Sequence, residues 1–122
     1  PDSADSWTRL GNAYYDTDRH EQAVEAYTKS LQIAPNDPNV LTDMGVMYRR
    51  LNMPEEAIRL FDLAMAADPA HEWSAYNKGI VLLYDQKKTP EAIAAWEELT
   101  KRSSQFKTPS GQLLSDLVRS LK

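Results

Sequence analysis

His20 and His71, with the aspartates around them, are the side chains with which this sequence could do acid–base or metal chemistry. The run DTDRH sets Asp16, Asp18 and His20 at alternate positions. A metal site would need more converging ligands than these, since zinc takes about four and calcium about six to eight. The chain contains no cysteine, which excludes thiolate ligands, cysteine nucleophiles and disulfides. The run DPAH, with Asp68 and His71, holds no nucleophile in an activating context. H-E-x-x-H, G-x-S-x-G and Gly-rich phosphate loops do not occur. PSGQ at 109–112 carries one glycine and is too short to cradle a phosphate. The expectation is therefore a chain with no catalytic residue, metal or cofactor in this stretch, and not an enzyme. Both histidine runs read as polar turns between helices.

The remaining chemistry is that of recognition, and composition narrows it. The 122 residues are 42% hydrophobic and 26% charged, enough to bury a core in one domain spanning 1–122. The formal charge of −4 speaks against nucleic acid and against adsorption to anionic membranes, which require clustered Lys/Arg. Arg49–Arg50 and Lys87–Lys88 are too short for basic tracts. No apolar run approaches the ~18 residues of a membrane span. The sequence opens on PDSADSW without an initiator methionine and reads as a fragment of something longer.

Elements that could position a binding surface follow from a repeat. Gly11, Gly45 and Gly79 are spaced by 34, and Tyr14 and Tyr48, Ala23 and Ala57, Tyr27 and Phe61, and Pro35 and Pro69 keep that step. After Leu82 the step lengthens by one, so that Ala92 and Trp96 match Ala57 and Phe61, and the extra residue is expected in the polar loop YDQKKTP. Apolar spacing and helix-start signals predict seven helices, at about 4–17, 20–34, 38–51, 54–67, 71–85, 90–103 and 109–121. Asp37–Pro38, Thr89–Pro90 and Thr108–Pro109 each read as an N-cap before a helix-opening proline. Asp18 suits a helix start, and Pro54 with Glu55 and Glu56 suits another. A glycine inside each odd helix costs about 1 kcal/mol relative to Ala. Close packing of paired helices would require it, with Gly11 against Ala23, Gly45 against Ala57 and Gly79 against Ala92.

The pattern resembles the tetratricopeptide repeat family: W-x2-L-G-x2-Y, then A-x3-F, then P. Trp7, Leu10, Gly11, Tyr14, Ala23, Tyr27 and Pro35 carry it in the first copy. Leu41, Met44, Gly45, Tyr48, Ala57, Phe61 and Pro69 carry it in the second. The third is looser, with Lys78 and Ser104 departing from the pattern. The resemblance implies an all-α, right-handed α-solenoid of three helix pairs, at about 4–37, 38–71 and 72–105. The segment 109–121, with a stripe of Leu113, Leu114, Leu117, Val118 and Leu121, is then either a capping helix or an amphipathic helix for a partner or membrane.

The same resemblance implies a protein or peptide ligand in a concave groove lined by the first helix of each pair. The residues carried over are Arg9, Asn12 and Tyr15, then Asp43, Val46 and Arg49, then Trp73, Tyr76, Asn77 and Ile80. Trp73 and Tyr76 lead as anchors. Ile80, Leu83 and Tyr84 lie either in the groove or beneath the terminal helix. The two-carboxylate clamp that holds acidic chaperone C-termini falls here on Thr8, Asn12, Asp43, Trp73 and Asn77. Asn12 alone matches it, so a chaperone tail is not the expected partner. EAIAAWEEL, followed by a polar break and a terminal helix, is faintly similar to membrane-anchored bacterial repeat proteins of cytochrome c maturation. That similarity implies a periplasmic or membrane-anchored envelope setting, with a cytoplasmic one also open. Self-assembly into homo-oligomers is the alternative to ligand binding, and this fragment is not expected to touch a membrane directly.

Overall fold

The computed structural model describes residues 3–122, and the described residues are helical with one isolated antiparallel bridge. The helices are α1 (Ala4–Asp16), α2 (His20–Ile33), α3 (Pro38–Arg50), α4 (Pro54–Ala67), α5 (Glu72–Ile80), α6 (Thr89–Arg102) and α7 (Leu114–Leu121). A π-helical turn, Val81–Asp85, continues α5. The expected seven helices and the all-α solenoid are present.

The first helix of each pair, α1, α3 and α5, opens on a side-chain cap. Ser3 accepts from the Ser6 amide, Asp37 from Asn39 and Val40, and His71 Nδ1 from Ser74. Each satisfies backbone donors that the first turn leaves free. Even helices open differently. Asp18, Asn52 and Lys87 take left-handed backbone at φ 59, 63 and 57. The next residue's amide then bonds back to Tyr14, Tyr48 and Leu82 at 2.9, 2.9 and 2.7 Å. So Asp18 is a turn residue and not a helix start, and α6 begins at Thr89 with no side-chain cap. The left-handed turn does the work the N-caps were expected to do.

That turn also locates the extra residue of the third repeat. The tyrosine slot steps by 34 from Tyr48 to Leu82, and the left-handed slot by 35 from Asn52 to Lys87. The widened π turn between them absorbs the insertion, with Gln86 N–H reaching Val81 C=O at 3.0 Å. The helix end gives way, and the closing turn keeps its form.

Two expectations are corrected. The nearest neighbours of the glycines are aromatic rings, not the alanines expected there. A Cβ built at Gly45 would lie 2.6 Å from Phe61 Cε1, and those at Gly11 and Gly79 would collide with the rings of Tyr27 and Trp96. Flat aromatic faces lie directly on the glycine backbone, and the buried Ala23, Ala57 and Ala92 pack beside them. The terminal helix starts at Leu114, not 109. Thr108 is buried, and its Oγ1 accepts from the Gln112 amide and bonds Ser110 Oγ. It therefore caps a tight turn, closed by the Lys107–Leu113 bridge, in which Gly111 has φ +89. Phe106, on the same segment, packs inward with Leu114 and Val118.

Helices pack in sequence, α1 on α2, α2 on α3 and onward to α6 on α7. Besides these neighbours, α3 touches α5. By contrast α2 and α4 splay around a surface cleft lined by Leu31, Leu41, Met44 and Leu63. The layer of α1, α3 and α5 is thus the tighter, inner side of the curve.

Candidate functional site

The inner layer carries the residues proposed for binding, and the structure divides them into two ends. At the N-terminal end, α1 and α3 enclose a cleft of about 410 Å³ lined by Asn12, Tyr15, Asp16 and Asp43. These positions follow helical spacing on α1 and the matching register on α3, which puts them on one side of each helix. Asn12 Oδ1 accepts a 2.6 Å hydrogen bond from Tyr27 OH, so it also anchors the ring beneath Gly11. Burial pushes the Tyr27 phenol far up, with the Asp43 charge adding to it.

Asp43 is the unusual group. Its carboxyl is pushed up to about 6, first by burial and then by the charges of Asp37 and Asp16. Both arginines on the same helix are committed elsewhere. Arg49 forms a bidentate pair with Asp85 across to the third repeat, at 2.7 and 3.1 Å. Arg50 lies over the Tyr15 ring, 4.9 Å from its centroid, and reaches Asp18 at 3.9 Å. Among the described residues, Asp43 has no cation partner. Burial likewise pushes the Tyr15 phenol up, against the pull of Arg50. Arg9 pairs with Asp5 at 2.8 Å, one helical turn back and well exposed.

The C-terminal end is aromatic. Trp73 is 46% exposed and stands edge-on to Tyr76 and to Phe106, with centroids 5.7 and 5.1 Å away. Tyr76 is 8% exposed and stacks on Trp96 at 5.8 Å, while Trp96 Nε1–H donates to the Tyr76 carbonyl at 3.0 Å. Tyr76 is therefore a core ring that supports Trp73, not a second open anchor. Asn77 spends its amide on the Trp73 carbonyl at 2.8 Å. Val46 is half-buried, and Ile80 and Leu83 pack against the cluster containing Leu114 and Val118. Tyr84 stays half exposed.

Two partners of these residues were invisible in the sequence. Asp85 lies 36 positions from Arg49, and Phe106 sits in a segment with no repeat register. A hydrogen-bonded chain, Ser74 Oγ to His71 Nδ1 and His71 Nε2 to Asn39 Oδ1, both 2.8 Å, has the order of a hydrolase triad. Ser74 is wholly buried, with its one hydroxyl proton shared between His71 Nδ1 and the His71 carbonyl, so no substrate can reach its oxygen. The chain is an inter-repeat clasp. Among the described residues no group of three His, Asp or Glu is placed to hold a metal, and no helix is long and apolar enough to cross a membrane.

Comparison with known proteins agrees with this architecture. The sequence model of the tetratricopeptide repeat matches residues 2–70. Anaphase-promoting complex subunit 3 of Schizosaccharomyces pombe is 28% identical over 77% of this chain and 14% of its own length. Cellulose synthase 1 operon protein C of Komagataeibacter xylinus is 30% identical over 98% of this chain and 10% of its own. The chain thus spans about a tenth to a seventh of these relatives. Among solved structures, the first repeat domain of Spaghetti (RPAP3), bound to the HSP90 peptide SRMEEVD, superposes with a TM-score of 0.82 at 21% identity. That alignment covers 98% of this chain and 92% of the other.

Proposed function

The chain belongs to the tetratricopeptide repeat family, and from that premise we propose that it is a protein-interaction scaffold holding an extended or helical segment along its inner face. It is not an enzyme in this reading. The observation that carries it is the pairing of a polar cleft between α1 and α3 with a projecting tryptophan on α5. The cleft offers hydrogen bonds and negative charge, and Trp73 offers a half-exposed ring held rigid from two sides by Tyr76 and Phe106. Rigid aromatic anchors contribute most per residue to such interfaces.

The charge arrangement selects among ligands. Among the described residues Asp43 has no counter-ion, while Arg49 and Arg50 are already paired. A segment bringing a basic or neutral polar side chain to that cleft is favoured, and an acidic chaperone tail is repelled. The likeness to the SRMEEVD-bound domain supports peptide capture by a fold of this kind, and the cleft chemistry supports a different sequence preference.

A phage-displayed heptapeptide library panned against the chain tests this reading, with SRMEEVD as a separate probe. Enriched peptides should lose at least tenfold in affinity against Trp73→Ala or Asp43→Asn, and SRMEEVD should bind more weakly than they do. Enriched peptides that bind both variants as tightly as the parent would overturn the groove reading. A concentration-dependent mass with no enriched peptide would favour self-assembly instead. Asn12→Ala is a poor reporter, because it also strands the Tyr27 hydroxyl.

A further inference from the structure

The arginines of the inner layer are held by the chain's own carboxylates, and one of these pairs exists because the repeat is broken. Arg9 is paired with Asp5, Arg50 with Asp18 and Arg49 with Asp85. Arg49 occupies in α3 the register of Tyr15 in α1, which lines the polar cleft. Its charge also reaches the aromatic end: burial pushes the Tyr76 phenol up, Tyr84 adds to this, and Arg49 opposes it. Arg49 is thus a cation within reach of both halves of the groove, and its side chain is still 36% exposed.

Asp85 reaches Arg49 by way of the insertion. Thr17 and Leu51, which precede it by two steps and one step of the repeat, are the residues at which α1 and α3 stop. In the third repeat the π turn carries the helix through Asp85, and Gln86 takes the closing place. The Asp85 carboxylate then accepts from Nε and Nη2 of Arg49 at 2.7 and 3.1 Å. Two parallel bonds of this kind cancel the charge and take one whole edge of the guanidinium. The first and second repeats stack without such a pair, because leucine stands at 51. The Arg49–Asp85 contact is therefore an addition to the repeat and not a requirement of it.

We propose that Asp85 is the residue that sets the charge preference of the groove, a built-in carboxylate that holds Arg49 and so keeps acidic segments out. The inference rests on the groove reading above and adds the residue that decides its selectivity. A carboxylate fixed in place competes at an effective concentration on the order of millimolar or more, so a dilute acidic segment does not displace it. With Arg49 held, the cleft presents Asp16 and Asp43 to a ligand. Removing the Asp85 carboxylate would give the same face an open guanidinium and shift its preference toward acidic segments.

The test titrates fluorescein-labelled SRMEEVD by fluorescence anisotropy into four chains: the parent, Asp85→Ala, Asp85→Ala with Arg49→Gln, and Glu91→Gln. Circular-dichroism melts first establish that each is folded. Asp85→Ala should bind SRMEEVD about three- to fivefold more tightly than the parent, the worth of one exposed ion pair, and the gain should shrink at high salt. The double variant should return to the parent affinity. Glu91→Gln makes the same change in net charge on α6, outside the inner layer, and should leave the affinity unchanged. The uncharged, C-terminally amidated analogue SRMQQVN should not distinguish Asp85→Ala from the parent. No gain in Asp85→Ala, a gain that survives the loss of Arg49, or an equal gain in Glu91→Gln would each overturn the assignment. SRMEEVD binding to none of the four would overturn it too. Weaker binding of SRMEEVD and of the library-enriched peptides alike in Asp85→Ala would make the pair a structural brace and overturn it. The groove reading is judged separately, by whether the enriched peptides bind the parent and lose affinity in Trp73→Ala.

Discussion

Gly45→Ala separates two accounts of the helix-interior glycines by the sign of its effect. An ordinary exposed helical glycine gains about 1 kcal/mol on replacement by alanine. Here the new Cβ would lie 2.6, 3.0 and 3.1 Å from Cε1, Cδ1 and Cζ of Phe61. Phe61 is fully buried against Ala57 and Val81, with Val46, Tyr48 and Ile58 beside it. The fully buried ring must retreat by nearly an ångström to restore van der Waals contact. Overpacking at such a site costs about 2–3 kcal/mol, near the top of the usual range. The net loss is then about 1–2 kcal/mol, a drop in Tm of about 4–8 °C for a chain this long. Circular-dichroism melts and urea unfolding measure it. The decisive arm is the double variant. In a Phe61→Leu background the ring is gone, so adding Gly45→Ala should stabilise by several tenths to about 1 kcal/mol. If Gly45→Ala stabilises the parent chain, or the second substitution destabilises both backgrounds equally, the glycine–ring contact is not what keeps the glycine.

Other perturbations follow the same logic. A carboxyl raised from 3.8 to about 6 binds its proton more tightly when folded. Asp43 therefore adds stability below about pH 4 that is lost as pH rises through 6. Asp43→Asn should raise stability at pH 7.5 by about 1–3 kcal/mol and flatten the pH 4–6 slope of urea midpoints. Lys87→Asn should stabilise the fold by up to about 1 kcal/mol, read as a rise in Tm, because asparagine accepts left-handed backbone more readily than lysine. The Arg49–Asp85 pair is about one-third exposed, so a double-mutant cycle should give about 0.5–1 kcal/mol, shrinking in 1 M salt. Phe106→Ala should cost about 3 kcal/mol and change the fluorescence of Trp73, which loses its edge contact.

The sequence by itself determined what is periodic. The six paired helices and the glycine and aromatic slots follow from a 34-residue step, because residues in one register meet equivalent neighbours in every repeat. The Asp37 cap was equally legible, since a cap is satisfied within three residues. Where the repeat breaks, the reading failed. The segment 103–113 has a Thr–Pro pair like a helix start, but burial of Thr108 and Phe106 made it a turn. Only the tertiary structure decided which charges pair and which stay alone. Asp85 sits on the helix end that the inserted residue widened, and there it takes Arg49 from the second repeat. Tyr76, alike in sequence to an open groove aromatic, is closed by Trp96 and Phe106. Such outcomes depend on distances between segments tens of residues apart, and local propensity carries no information about them.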